Sequence, residues 1–162
     1  MDTKTLKDLL DQQNIRDVLS KYCELLDENK LDEVVQLFSA DCVTDYGPGR
    51  GGPGVGPEVL RKRFQNNLTG FLRTHHQLGQ IRISLDGDKA TSVAYVIADH
   101  ELRNGKRETV RMQYWDRLVC TNGRWRIAYR ETRATIVDGE VRIERVMLPR
   151  NEATSTLANA AP

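Results

Sequence analysis

The chain has 162 residues, 39% of them hydrophobic and 29% charged, a balance that suits one soluble folded domain and excludes a disordered segment. Twenty-four Lys and Arg against 23 Asp and Glu leave a formal charge of +1, so neither nucleic acid nor an acidic membrane surface is an expected partner. The longest apolar run, around Val93 to Ala98, is strand-sized and far short of the ~20 residues of a membrane span, and MDTKTLKDLL shows no signal-peptide pattern.

Leu6, Leu9, Leu10, Ile15, Val18, Leu19, Tyr22, Leu25 and Leu26 recur at three- and four-residue steps, which predicts an amphipathic start, one bent helix or two with Asn14 as a possible cap. The stripe stops at the polar break Asp27-Glu28-Asn29-Lys30. Leu31, Val34, Val35 and Phe38 predict a second, short helix ended by Ser39-Ala40-Asp41. Cys42 to Tyr46 reads as a short strand. Residues 47–56 hold six glycines and two prolines and predict a loop bordering a site; the loop has neither the phosphate-binding nor the dinucleotide pattern. Pro57 opens a third helix with Val59, Leu60, Phe64 and Leu68 on its apolar side.

From Thr74 the period becomes two. Ile81, Ile83 and Leu85, then Val93, Tyr95 and Ile97, then Val110, Met112 and Tyr114, then Trp125, Ile127 and Tyr129 mark successive strands. Turn signals at Asp86-Gly87, Asn104-Gly105, Asn122-Gly123 and Asp138-Gly139 join them as antiparallel neighbours, the last strand spanning Val141 to Leu148. Helices followed by a hairpin-linked sheet predict an α+β domain over residues 1–149, a cone-shaped barrel with a strongly curved, mostly antiparallel sheet closing an apolar pocket against the helices. Residues 150–162 predict a flexible tail.

Cys23, Cys42 and Cys120 are dispersed and odd in number, which fits free thiols in a reducing cytoplasm and supplies no metal set. Arg124–Arg126 and Arg142–Arg145 read as solvated strand faces, and Arg130 as a surface residue. The histidines are His75, His76 and His100. Adjacent strand residues face opposite ways, and counting back from Ile81 puts His75 on the face of Ile81 and His76 on the other. Which of them enters the pocket stays open, since a bulge changes the phase.

The segment IRDVLSKYCELLDENKLDEVVQLFSADCVTDYGPG, followed by THHQLGQIRISLDGDKATSVAYVIADH and NGRWRIAYRET, resembles the SnoaL-like group of the nuclear-transport-factor-2-like superfamily. The similarity runs from about Leu10 to Met147; its specificity lies in the order and spacing of the pieces. The resemblance implies the cone-shaped fold, a homodimer or homotrimer, and a site. Members such as scytalone dehydratase, a bile-acid 7α-dehydratase and a hexachlorocyclohexane dehydrochlorinase use a His held by an Asp. The motif places that Asp at Asp27 and that His at His76. Tyr22 matches a Tyr five residues before the Asp in the bile-acid enzyme. Tyr46 and His100 match substrate-positioning residues of scytalone dehydratase. Leu26 stands where that enzyme has a further Tyr, which argues against the same substrate.

Imidazole suits proton abstraction near neutral pH, a carboxylate on its N–H sets the tautomer, and a phenol donates to an oxygen as charge develops. The expected function is a lyase or isomerase acting on a small, largely apolar cyclic substrate, with neither metal nor organic cofactor. The alternatives are a non-catalytic ligand-binding or scaffold subunit, like the small subunit of ring-hydroxylating dioxygenases, or a polyketide cyclase or epoxide hydrolase on the same fold.

Overall fold

The computed structural model describes residues 3–140 and 143–149; the tail expected at 150–162 lies outside the described residues, as do the first two positions of the expected last strand. Helix α1 runs unbroken over Thr3–Asp27, so Asn14 caps nothing. Its inward face is set by Ile15, Leu19, Tyr22 and Leu26, all buried, whereas Leu6, Leu9 and Leu10 stand 51%, 49% and 57% exposed. The apolar pattern therefore marks the core face only in the second half of the helix.

In the first half a carboxylate continues the inward face. Asp11 accepts from the indole Nε1 of Trp125 at 2.9 Å and from Lys7 Nζ at 2.7 Å. Burial alone would raise its pKa; the Lys7 and Trp125 bonds outweigh it and hold the carboxyl below its ordinary value. Asp11→Ala is expected to cost about 1–3 kcal/mol of unfolding free energy, because the buried indole N–H then has no acceptor. Urea midpoints check this, with Asp11→Asn retaining most of the stability through its amide oxygen.

The end of α1 is chemically defined. Asn29 adopts φ +56°, its N–H donates to Leu26 O at 3.0 Å, and Lys30 N–H donates to Leu25 O at 2.9 Å. This is a Schellman motif with Asn in the left-handed position, and it leaves Asp27 as the last helical residue. Helix α2 is shorter than expected, Leu31–Val34 followed by a 3-10 turn over Val35–Leu37. Ser39-Ala40-Asp41 does not end it: strand β1 begins earlier and covers Phe38–Asp45. The glycine-rich segment is not wholly irregular either. It holds a 3-10 turn, Pro48–Arg50, and a short strand β2, Pro53–Val55, that pairs with β1. Helix α3 spans Pro57–Leu68, and its Arg63 donates to Thr44 O at 3.1 Å and Gly52 O at 2.7 Å, tying the loop to β1.

Four long strands follow, β3 (Phe71–Asp86), β4 (Lys89–Leu102), β5 (Arg107–Thr121) and β6 (Arg124–Gly139). The six-stranded sheet has the order β2-β1-β6-β5-β4-β3. Only the β1–β6 pairing is parallel. The α+β architecture is thus three helices packed on a curved, mostly antiparallel sheet. The strand expected over Val141 to Leu148 is absent from the described residues 143–149. That stretch touches β6 only through an isolated bridge from Met147 to Ala134.

Tyr22 sits at the centre of the core, edge-on to Phe38 at 5.9 Å and to Tyr114 at 5.6 Å; such aromatic pairs add about 0.5–1.5 kcal/mol each beyond the area they bury. On β4 the small residues Ala90, Ala94 and Ala98 point inward and Tyr95 points out, 49% exposed. No described helix is long and apolar enough to cross a membrane.

Two bulges decide what the sheet presents to the helices. On β3, Gly79 and Gln80 together face Tyr95 of β4, the register jumping from Leu78–Val96 to Ile81–Ala94. On β6, Ala128 is the extra residue between the pairs Ile127–Leu118 and Tyr129–Arg117. Each bulge flips the alternation. His76 therefore shares the inward face with Ile81, and Arg130 rather than Tyr129 follows Ile127 into the core.

Candidate active site

The Schellman turn and the β3 bulge bring two side chains together. Asp27 Oδ1 accepts from His76 Nδ1 at 2.6 Å and from Thr74 Oγ1 at 2.8 Å, and Oδ2 accepts the His76 backbone N–H at 2.8 Å. A carboxylate only accepts, so Nδ1 carries a proton, and in the neutral ring the lone pair is then on Nε2. The His76 side chain is 6% exposed and that of Asp27 23%. Burial alone would raise the Asp27 carboxyl; the His76 bonds and then Thr74 outweigh it, and its pKa lies below the ordinary value. His75 points away, its side chain 72% exposed, with Nδ1 4.0 Å from Asp27.

His76 lines an interior hollow of ≈ 50 Å³ that also meets Tyr22, Tyr46, His100, Arg50 and Arg145. The phenols of Tyr22 and Tyr46 are 2.9 Å apart. Burial first of all raises both phenol pKa values, which keeps the hydroxyls protonated and able to donate. The His100 ring stacks on Phe71 at 4.3 Å and stands edge-on to His76 at 5.8 Å. A wider cleft of ≈ 260 Å³ lies on the other side of Asp27, and Leu26, Leu68 and Phe71 line both spaces. Larger hollows of ≈ 450 and ≈ 690 Å³ run along the outer sheet face and contain none of these residues.

Several charged residues of the site were not expected there. His100 Nδ1 meets Glu108 Oε2 at 3.1 Å, and Arg145 Nη2 donates to Glu108 Oε1 at 2.8 Å. Arg145 is 11% exposed, so it is no solvated strand residue: it leaves the sheet and turns into the hollow. Arg130 is no surface residue either. Its guanidinium is fully buried, pairs with Asp116 through two bonds of 2.7 Å, and lies 4.1 Å over the Tyr22 ring and 4.3 Å over Tyr114. The signal for both carboxylates was present in sequence. Glu108 and Asp116 share the phase of Val110, Met112 and Tyr114, where an unpaired carboxylate is too costly to bury.

Burial alone would raise the Glu108 carboxyl; His100 and Arg145 hold it at about 2 against an ordinary 4.5. A depressed folded-state pKa contributes stability in full above the unfolded value and loses it as pH falls through the folded one. Glu108→Gln is therefore expected to flatten the loss of stability between pH 4.5 and about 2, read from urea unfolding at each pH. Equal slopes in both proteins would show that Glu108 is not held ionised. Burial of His100 is the main cause that lowers its own pKa and favours the neutral ring.

No cysteine suits nucleophilic attack: burial pushes the Cys23 thiol up to about 12. Among the described residues no three of His, Cys, Asp and Glu stand together as a metal set.

A family model described as a SnoaL-like domain matches residues 7–131. An uncharacterized protein of Mycobacterium tuberculosis is 24% identical over 129 residues, 78% of this chain and 86% of that protein. A scytalone dehydratase-like protein of Novosphingobium aromaticivorans superposes with a TM-score of 0.85 at 25% identity, covering 91% of this chain and 99% of its own. A hexachlorocyclohexane dehydrochlorinase of Novosphingobium barchaimii superposes with a TM-score of 0.75 at 17% identity, covering 90% and 99%, a likeness of fold.

Proposed function

The chain belongs to the SnoaL-like domain family, and on that footing we propose that it is a cofactor-independent lyase or isomerase for a small cyclic substrate, with His76 as the base. The observation that carries this reading is the Asp27 carboxylate, fixed by three donors and placed 2.6 Å from His76 Nδ1 beside a phenol pair. A ligand-binding or scaffold subunit has no need of that arrangement.

In an elimination, His76 Nε2 takes a proton from the carbon beside a ring carbonyl. The C–H electron pair moves to the carbonyl oxygen as an enolate. Tyr22 and Tyr46 meet that charge: one phenol donates to the other, and the second hydroxyl donates to the substrate. The enolate then collapses, the C=C bond forms, and the bond to a β-hydroxyl breaks. His76 returns its proton to the departing oxygen, so water leaves and no oxidant or reductant takes part. Asp27 stabilises the imidazolium between the two transfers. The hollow is smaller than the ~300–1,000 Å³ of ordinary ligand pockets. Entry therefore requires the apolar wall of Leu26, Leu68 and Phe71 to yield toward the neighbouring cleft.

Cyclic β-hydroxy ketones incubated with the protein test this, followed by the absorbance of the conjugated enone. The reading predicts acceleration by the wild type that His76→Ala abolishes; acceleration that survives the substitution overturns it.

A further inference from the structure

We propose that the substrate of this site carries a carboxylate on its ring, gripped by Arg50 and Arg145. The inference rests on the hollow being the active site and adds the charge class of what enters it. Two guanidiniums face this small space from different segments, Arg50 from the 3-10 turn of the glycine-rich loop and Arg145 from the stretch after β6. Their charges do not cancel locally. Glu108 spends one oxygen on Arg145 and the other on His100. Arg145 Nε is buried and has no partner. Among the described residues Arg50 makes no side-chain hydrogen bond or ion pair. Burial first, and the charge of Arg145 second, disfavour the Arg50 cation. A half-buried cation facing a second cation with idle donors is costly, and a carboxylate between them would satisfy the donors and relieve the repulsion.

The sequence is built to hold these two arginines together. Gly49 N–H donates to Glu144 O at 3.2 Å. A Cβ at Gly49 would lie 2.5 Å from Glu144 O and 2.8 Å from Ile143 Cβ, so only glycine lets the loop dock against residues 143–146. The docking places Arg50, the next residue, beside Arg145. The rest of the lining suits a ring: Tyr22, Tyr46, Phe64 and Phe71 supply aromatic surface.

Benzoate, benzamide and acetate titrated into the full-length protein, followed by NMR shift changes, test the inference. Benzoate is expected to bind at least about tenfold tighter than benzamide, the gain of one charge-assisted contact, and tighter than acetate. Arg50→Gln should bring benzoate down toward the level of benzamide and weaken benzamide much less, while Arg50→Lys recovers part of the difference. Benzoate binding no tighter than benzamide, or unaffected by Arg50→Gln, overturns the inference. Equal binding of acetate and benzoate does so too, because it reduces the site to a general anion trap. The ketones of the enone assay carry no carboxylate and do not call on these arginines. Failure of the acid grip thus leaves the enone assay to judge proton transfer, and failure of that assay leaves the grip standing.

Discussion

His76→Ala is expected to lower kcat/KM for elimination by about 10²–10⁴-fold, the usual worth of a positioned general base. The imidazole has a carboxylate on Nδ1 at 2.6 Å, closer than the 3.1 Å between His100 and Glu108, and the remaining acceptor positions of that carboxylate are filled by Thr74 and a backbone N–H. That fixing sets one tautomer and one ring orientation before substrate arrives. Asp27→Asn is the complementary variant. Its amide still accepts but can also offer N–H to Nδ1, which selects the wrong tautomer and moves the proton to Nε2. It should lose activity nearly as severely with little change in circular dichroism. Near-native rates in both variants would remove His76 and Asp27 from the mechanism.

Asp116→Ala should be the most damaging change to stability, about 3–5 kcal/mol, because it strands a buried cation. Both members of the pair are 0% exposed, and Arg130 Nη1 already has no partner. The Tyr22 and Tyr114 faces at 4.1 and 4.3 Å stabilise the guanidinium in part but cannot replace a carboxylate. For a chain of this size the loss corresponds to a fall in Tm of about 10 °C. Pairing the change with Arg130→Met should restore much of the stability, since no uncompensated charge then remains buried. A double variant as unstable as the single one would mean that packing, not charge, is what Asp116 supplies. The pair also backs the ring of Tyr22, so the double variant should lose activity while it regains stability.

The outcome at individual residues shows what a one-dimensional pattern carries. The polar break after Leu26 located the end of α1 because Asn tolerates the left-handed turn that stops a helix there. The Asn-Gly and Asp-Gly pairs located the hairpins for the same local reason. Leu6, Leu9 and Leu10 misled, since apolar spacing does not say whether anything lies opposite. The helix ending at Ser39 misled because β1 finds its hydrogen bonds on β6, a partner some ninety residues away in sequence. The strand expected after Asp138-Gly139 failed in the opposite sense: the alternation was present, yet residues 143–149 pair with the sheet backbone through a single isolated bridge at Met147.

The α+β class, the three helices and the four long hairpin-linked strands followed from the chain alone, because turns, caps and periodicity are local properties of the backbone. Asp27, Tyr22, Tyr46, His76 and His100 became candidates through the resemblance to the SnoaL-like group, and the short strand β2 was not foreseen. Which face of each strand looks inward was decided only on folding. A strand's alternation has no absolute phase, and one inserted residue reverses it. The bulges at Gly79-Gln80 and Ala128 are such insertions. They arise from pairing with neighbouring strands, and they turn His76 toward Asp27 and bury Arg130 against Asp116.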